Sequence, residues 1–209
     1  MVSSAMNEHE RLSVPRARAY EQLFGSKPSQ VFPYHRFAGA DTPCVIDVFV
    51  YPIEVANVEG PVLAAVTNGM SDFRMVDNQR KDFVPRRELI QYFRVCKDVY
   101  ARRLHDCAWL PHVDKFALDM FDTIAWPDAV ENDLQDAFFL RPIWSPHAAF
   151  SLELDSDNMS LLWHIPITRR ERAYKQQHGA NALLDRMEQV KLPWIFDPAN
   201  RPDLLADSP

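Results

Sequence analysis

The sequence predicts an α+β fold: a mainly antiparallel, mixed sheet of about six strands flanked by helices. Three observations carry this. Runs rich in β-branched and aromatic residues recur at Val45–Tyr51, Pro61–Thr67, Glu88–Val95, Ala137–Pro142, Ala149–Leu154 and Met159–Pro166, and such residues suit a pleated, half-buried surface. The apolar period becomes helical around Val99, Tyr100, Arg103, Leu104 and Cys107, and again after Thr168. Short polar turns, Asn68-Gly69 and Asp155–Asn158, end or join strand runs, as antiparallel neighbours require.

Taken in order, Pro15–Leu23 reads as a helix with an apolar side of Tyr20, Leu23 and Phe24, stopped by Gly25. Residues 26–43 hold Pro28, Pro33 and Pro43 and read as a loop with room for an edge strand. Val45–Tyr51, apolar apart from Asp47, reads as a well-buried strand, with Pro61–Thr67 its antiparallel neighbour. Leu89, Gln91, Phe93 and Val95 alternate with Ile90, Tyr92 and Arg94 in the third strand. The helix Lys97–Trp109 should end or kink at Pro111. Phe121–Trp126 should be extended, because Pro127 biases Trp126 away from helix. Thr168-Arg169-Arg170-Glu171 has the spacing of a capping box, starting a helix that Gly179 stops. A second helix from Asn181 gathers Leu183, Leu184, Met187 and Val190 on one side and ends before Pro193.

Composition narrows the function classes. A chain of 209 residues, 47% hydrophobic, suits one large domain or a domain with a subdomain. A net charge of −6 repels a phosphate backbone, so direct nucleic-acid binding is disfavoured, while a basic partner would be drawn in. Five scattered glycines (Gly25, Gly39, Gly60, Gly69 and Gly179) leave no glycine cluster for a P-loop or dinucleotide turn, and no cofactor is expected. Three cysteines, Cys44, Cys96 and Cys107, argue against a disulfide framework. Met1–Leu12 has no apolar leader, and no run approaches the roughly 20 apolar residues of a membrane helix. The expectation is a cytoplasmic protein without membrane attachment.

Several constellations bear on chemistry. His105, Cys107, His112 and Asp114 lie close in sequence but lack paired-ligand spacing, and Cys107 falls on the apolar side of its helix. Metal: none, therefore. His9-Glu10 is followed by Ser13 where a zinc-protease helix needs histidine. Ser71 follows Gly69-Met70, but Phe73 stands where a nucleophile elbow needs its second glycine. Asp119 and Asp122 could pair as acid and base, or simply cap turns. Among the tryptophans, Trp126 and Trp144 sit beside prolines in loop-like segments and suit a binding surface; Trp163 and Trp194 suit the core, and Trp109 lies on the helix.

Several segments together resemble the suppressor-of-fused domain family, in a bacterial form. They are Ile46–Pro52, the strand and turn Val66-Thr67-Asn68-Gly69-Met70-Ser71-Asp72, Arg87–Phe93, Ile165–Thr168, His178–Leu184 and Trp194–Pro202. They recur in the family's order from about residue 30 to 203. Phe121–Pro127 departs from the bacterial pattern, which has Gly-His before Thr-Ile. The resemblance implies a non-catalytic binding domain. Eukaryotic relatives hold a zinc-finger transcription factor through a peptide that adds as a strand; bacterial relatives are proposed immunity proteins that neutralise a toxin. On this reading residues 1–25 form an N-terminal helical segment, 26–203 a suppressor-of-fused-like domain and 204–209 a polar tail. The protein is expected not to be an enzyme. Its partner would be a protein or peptide, a toxin in the immunity case, met by a surface of Asn68, Gly69, Met70, Ser71, Asp72, Asp122 and Trp126. A hydrolase using Ser71 or the aspartate pair, and a homo-oligomeric structural protein, stand as alternatives.

Overall fold

Eight strands share one sheet in the computed structural model, which describes residues 2–37, 43–55, 58–72, 74–75, 86–142, 152–154 and 157–206, with side chains from 12 onward except 35–37, 43–44, 154 and 157. Phe73, Trp144, the Ala149–Ser151 part of one strand run, and Asp155 and Ser156 of its turn lie outside the described residues. The strands are β1 (Gln30–Phe32), β4 (Asp47–Ile53), β5 (Val62–Asn68), β6 (Arg86–Phe93), β7 (Thr123–Ile124), β8 (Leu134–Leu140), β9 (Leu152–Leu154) and β10 (Asp157–Thr168). Across the sheet the order is β1-β4-β5-β6-β10-β8-β7, with β9 also on β10. A separate pair joins β2 (His35–Phe37) to β3 (Pro43–Val45). All six predicted strand runs have a counterpart, and the rest of the sheet comes from segments of two or three residues. The fold is the α+β arrangement expected, with eight strands in place of about six.

Neighbouring strands are antiparallel except β6 and β10, where Arg86–Ile90 runs parallel to Met159–Trp163. Side chains alternate between two cores, as a strand's period of two requires. Tyr51, Ile90, Tyr92, Phe138, Trp163 and Ile165 face helices α1 (Val2–Phe24), α3 (Arg169–His178) and α4 (Ala180–Gln189), packing with Tyr20, Leu183 and Met187. Val48, Leu89, Phe93, Phe139 and Leu162 face α2 (Asp98–Asp114), packing with Tyr100, Leu104 and Cys107. The capping box forms as read: Thr168 accepts from the Glu171 N–H, and Glu171 accepts from the Thr168 N–H. No helix among the described residues is long and apolar enough to cross a membrane.

Beyond Ile90 and Trp163 the parallel pair splays into a fork. A C-terminal segment fills it as a wedge: the Phe196 N–H donates to the Tyr92 carbonyl at 2.8 Å, and Phe196 bridges Phe93. Pro166, which has no N–H to give a ladder, falls where β10 has left β6.

Two helices depart from the sequence reading. The first was expected to begin at Pro15, but α1 begins at Val2 and carries Pro15 inside it. The face continues across the proline, because Leu12, Arg16 and Tyr20, four residues apart, are all buried. Pro111 neither starts nor ends a helix; α2 passes it and stops at Lys115, in the left-handed region. Pro111 removes one hydrogen bond near the end of the helix, and its side chain is buried.

Candidate functional site

The turn after β5 is buried. Met70–Asp72 forms a single 3-10 turn, and Asn68, Met70, Ser71 and Asp72 are at most 2% exposed. Its N–H groups converge as a nest, and the occupant is internal. Glu88, on the α1 side of β6, accepts from the N–H groups of Gly69 (3.0 Å), Met70 (3.3 Å) and Ser71 (2.9 Å). It also accepts from the hydroxyls of Thr67 (2.6 Å) and Ser71 (2.7 Å). Converging N–H groups favour a carboxylate.

α1 closes the site with a buried cation. Arg16 donates Nε–H to Asn68 Oδ1 (2.6 Å) and Nη1–H to Ser71 Oγ (2.9 Å). It pairs with Asp72 at 2.5 Å and stands 3.6 Å from Glu88. Arg86 donates to the carbonyls of Ser71 (2.5 Å) and Asp72 (2.7 Å). Two arginines and two carboxylates thus share the cluster, Arg16 paired with Asp72 and Arg86 holding the carbonyls of the turn. Complete burial pushes the Glu88 carboxyl above its usual range, and Arg16 and the donors pull it back. Tyr20 donates to the Thr67 carbonyl at 2.9 Å; burial and the neighbouring Glu88 hold its phenol protonated. From the other face, His112 Nε2–H donates to the Met70 carbonyl at 2.9 Å.

The expectation that Asn68–Asp72 presents a turn to a partner is thus corrected: its N–H groups hold Glu88, and α1 covers it. A hydrolase built on Ser71 loses its footing for the same reason, since the hydroxyl is committed to Glu88 and Arg16 at 0% exposure. The sequence-neighbouring His105, Cys107 and His112 diverge. His105 packs on the Tyr34 ring at 4.8 Å, and Cys107 lies under Trp126 with its thiol pushed up to about 12 by burial. Asp119 and Asp122 cap one turn: the Asp119 N–H donates to Asp122 Oδ2 (2.8 Å), and Arg87 donates to Asp119 (2.8 Å).

Asp122 and Trp126 flank β7, which ends the sheet. Trp126 is half-buried: its indole donates to Cys107 Sγ (3.3 Å), its N–H donates to Asp136 Oδ1 (3.2 Å), and the Arg103 guanidinium lies over the ring at 4.8 Å.

The family model described as suppressor of fused protein matches residues 45–201, three quarters of the chain. The chain belongs to the suppressor of fused family. Its fold is that of a suppressor of fused homolog from Neisseria gonorrhoeae (TM-score 0.64, 14% identity, covering 97% of this chain and 100% of that one). Suppressor of Fused from Drosophila scores 0.65 at 10% identity, covering 94% of this chain and 52% of that one. A chain of a Sufu–Fu complex scores 0.62 at 9% identity, covering 93% of each. No curated protein matches the sequence.

Sequence reasoning overlooked another feature of this suppressor of fused chain, the fork. Gln91 and His164 face each other across it, and an amide oxygen only accepts, so His164 Nδ1–H donates to Gln91 Oε1 (2.7 Å). The signal was there: Gln91 and His164 are polar interruptions in apolar strand runs. Burial, reinforced by Arg103, drops His164 to about 3; burial also lowers His112. Unfolded histidine titrates near 6.5. The contribution of His164 is therefore whole above that pH and lost as pH falls toward 3, because only the unfolded chain takes the proton, and that of His112 has the same sign. His164 alone should add a slope of about 1.4 kcal/mol per pH unit to acid destabilisation. Urea unfolding at pH 6, 5 and 4 should show that slope in the parent and a shallower one in His164→Gln; equal slopes would assign the acid sensitivity elsewhere.

Proposed function

We propose that this member of the family is a non-catalytic cytoplasmic protein that holds a protein or peptide partner along the β7 edge. The supporting observation is that β7 is two residues long and has no strand on its outer side among the described residues. An open strand edge offers main-chain groups to an added strand. Trp126 and Arg103 beside it are the residue types that dominate binding energy. Of the residues singled out in the sequence, Asp122 and Trp126 flank this edge, whereas Asn68, Gly69, Met70, Ser71 and Asp72 lie in the buried Glu88 nest after β5. The likeness to a chain of a Sufu–Fu complex is in keeping with a binding role. The net charge of −6 favours a basic polypeptide, which in an immunity role would be a toxin.

Tagged protein recovered from its native cells should bring down one stoichiometric partner. Trp126→Ala should weaken that partner by about 2 kcal/mol or more, the cost of truncating an aromatic anchor. Isothermal titration reads it. A partner that binds Trp126→Ala and Thr123→Pro as tightly as the parent would remove β7 as the site. Asp72→Arg is no test of binding, since Asp72 is 2% exposed and paired with Arg16.

A further inference from the structure

We propose that a trough beside the wedge receives an arginine side chain of a basic polypeptide. The connection between β4 and β5, the end of β6 and residues 193–200 enclose it. Its volume is about 350 Å³, the size of a small-molecule site. Val58, Pro193, Trp194 and Ile195 give it apolar walls. Trp194 is half-buried, and its ring meets Tyr92 edge to face at 5.1 Å, which holds the indole in place. A flat, weakly hydrated guanidinium stacks on such a ring. The chain makes this contact internally, with Arg103 over Trp126 at 4.8 Å. Among the described residues no cation of the chain lies over Trp194.

Charge complementarity selects the occupant. Glu59 and Asp197 line the trough, and neither is in an ion pair among the described residues. Asp197 accepts from the Ala199 N–H (3.1 Å) and Asn200 Nδ2–H (2.8 Å), neutral donors that leave its charge standing. Arg94, the cation of the lining, donates Nη1–H to the carbonyls of Glu59 (2.5 Å) and Pro61 (3.2 Å). Two carboxylates against one guanidinium leave the trough negative, in a chain whose net charge is −6. An incoming arginine meets each feature: its aliphatic stem lies along Val58 and Pro193, its flat head on Trp194, its charge toward the carboxylates. The trough does not rest on the edge-strand reading. None of its lining residues belongs to β7 or β8, and its probes need no identified partner.

The matched probes are N-acetyl-argininamide and N-acetyl-citrullinamide, which share a shape and differ by the charge. Two-dimensional NMR follows the indole N–H of Trp194 and the backbone N–H groups of Val58 and Asn200. The arginine probe should shift all three and bind about tenfold tighter than the citrulline probe, the worth of a cation on an indole plus an exposed ion pair. Added salt should erode that difference. Glu59→Gln, at an exposed position, should remove most of it with the fold intact. Trp194→Ala should weaken both probes, read at Val58 and Asn200. The proposal falls if neither probe moves Trp194, or if the two bind equally. It falls too if Glu59→Gln leaves their difference unchanged, because the attraction then comes from the net charge at large. N-acetyl-lysinamide binding as tightly as the arginine probe would overturn the choice of arginine.

Discussion

Glu88→Ala should lower the stability of the chain by about 3–5 kcal/mol at neutral pH. The carboxylate receives five hydrogen bonds, from Thr67, Gly69, Met70 and twice from Ser71. Alanine would strand all five donors in a site at 0% exposure and leave Asp72 as the carboxylate paired with Arg16. Breaking a buried ion pair by removing one partner costs about 3–5 kcal/mol, against a total stability of about 5–15 kcal/mol for a domain. Urea unfolding followed by tryptophan fluorescence measures the loss. A variant within about 1 kcal/mol of the parent, the worth of an ordinary hydrogen bond, would show that the nest does not depend on its occupant. Adding Arg16→Met to Glu88→Ala should cost less than the sum of the two, because residues in one charge network are coupled.

Gly69→Ala should be nearly as severe, for a steric reason. The backbone of Gly69 has φ +146°, and a methyl group there would stand 2.0 Å from the Val45 carbonyl oxygen and 2.9 Å from Ile46 Cα. Both obstacles are backbone and cannot swing aside. Overpacking and backbone strain together predict a loss of about 3 kcal/mol or more, or roughly 10 °C in Tm for a chain of this length. Gly179→Ala is the matched control. Its φ is +89°, but nothing lies within 4 Å of the added carbon, so strain alone should cost about 1 kcal/mol. Equal losses at the two positions in a thermal melt would rule out the clash as the cause.

The sequence and the structure agree most closely where the signal is local. Val62–Asn68 and Arg86–Phe93 declare themselves by side-chain type, and Thr168 with Glu171 by spacing. The first helix was half hidden because Pro15 resembles a helix start and Arg16 resembles a surface residue; only the spacing of Leu12, Arg16 and Tyr20 gives the buried face away. Asn68–Asp72 was correctly singled out as a unit but placed on the surface. Asn, Gly, Ser and Asp in succession are also the residues of an exposed turn. What buries them is remote: Arg16 reaches Asn68 across 52 positions and Ser71 across 55. Glu88 carried the clue, a carboxylate beside the apolar run Leu89–Phe93, where a charge needs a partner. The fork was illegible because two strands distant in the chain make it, and nothing in either says where they part.

Arg16 bears on what counts as a unit of this protein. The stretch that marks it as kin to other chains opens at residue 45, yet a cation beside its fully buried Glu88 belongs to a helix ending at Phe24. A fragment trimmed to the recognisable stretch would keep Glu88, Asp72 and Arg86 but discard Arg16, the cation paired with Asp72, and the phenol of Tyr20 on the Thr67 carbonyl. Kinship and self-sufficiency therefore have different borders here, and the wider one begins before residue 16.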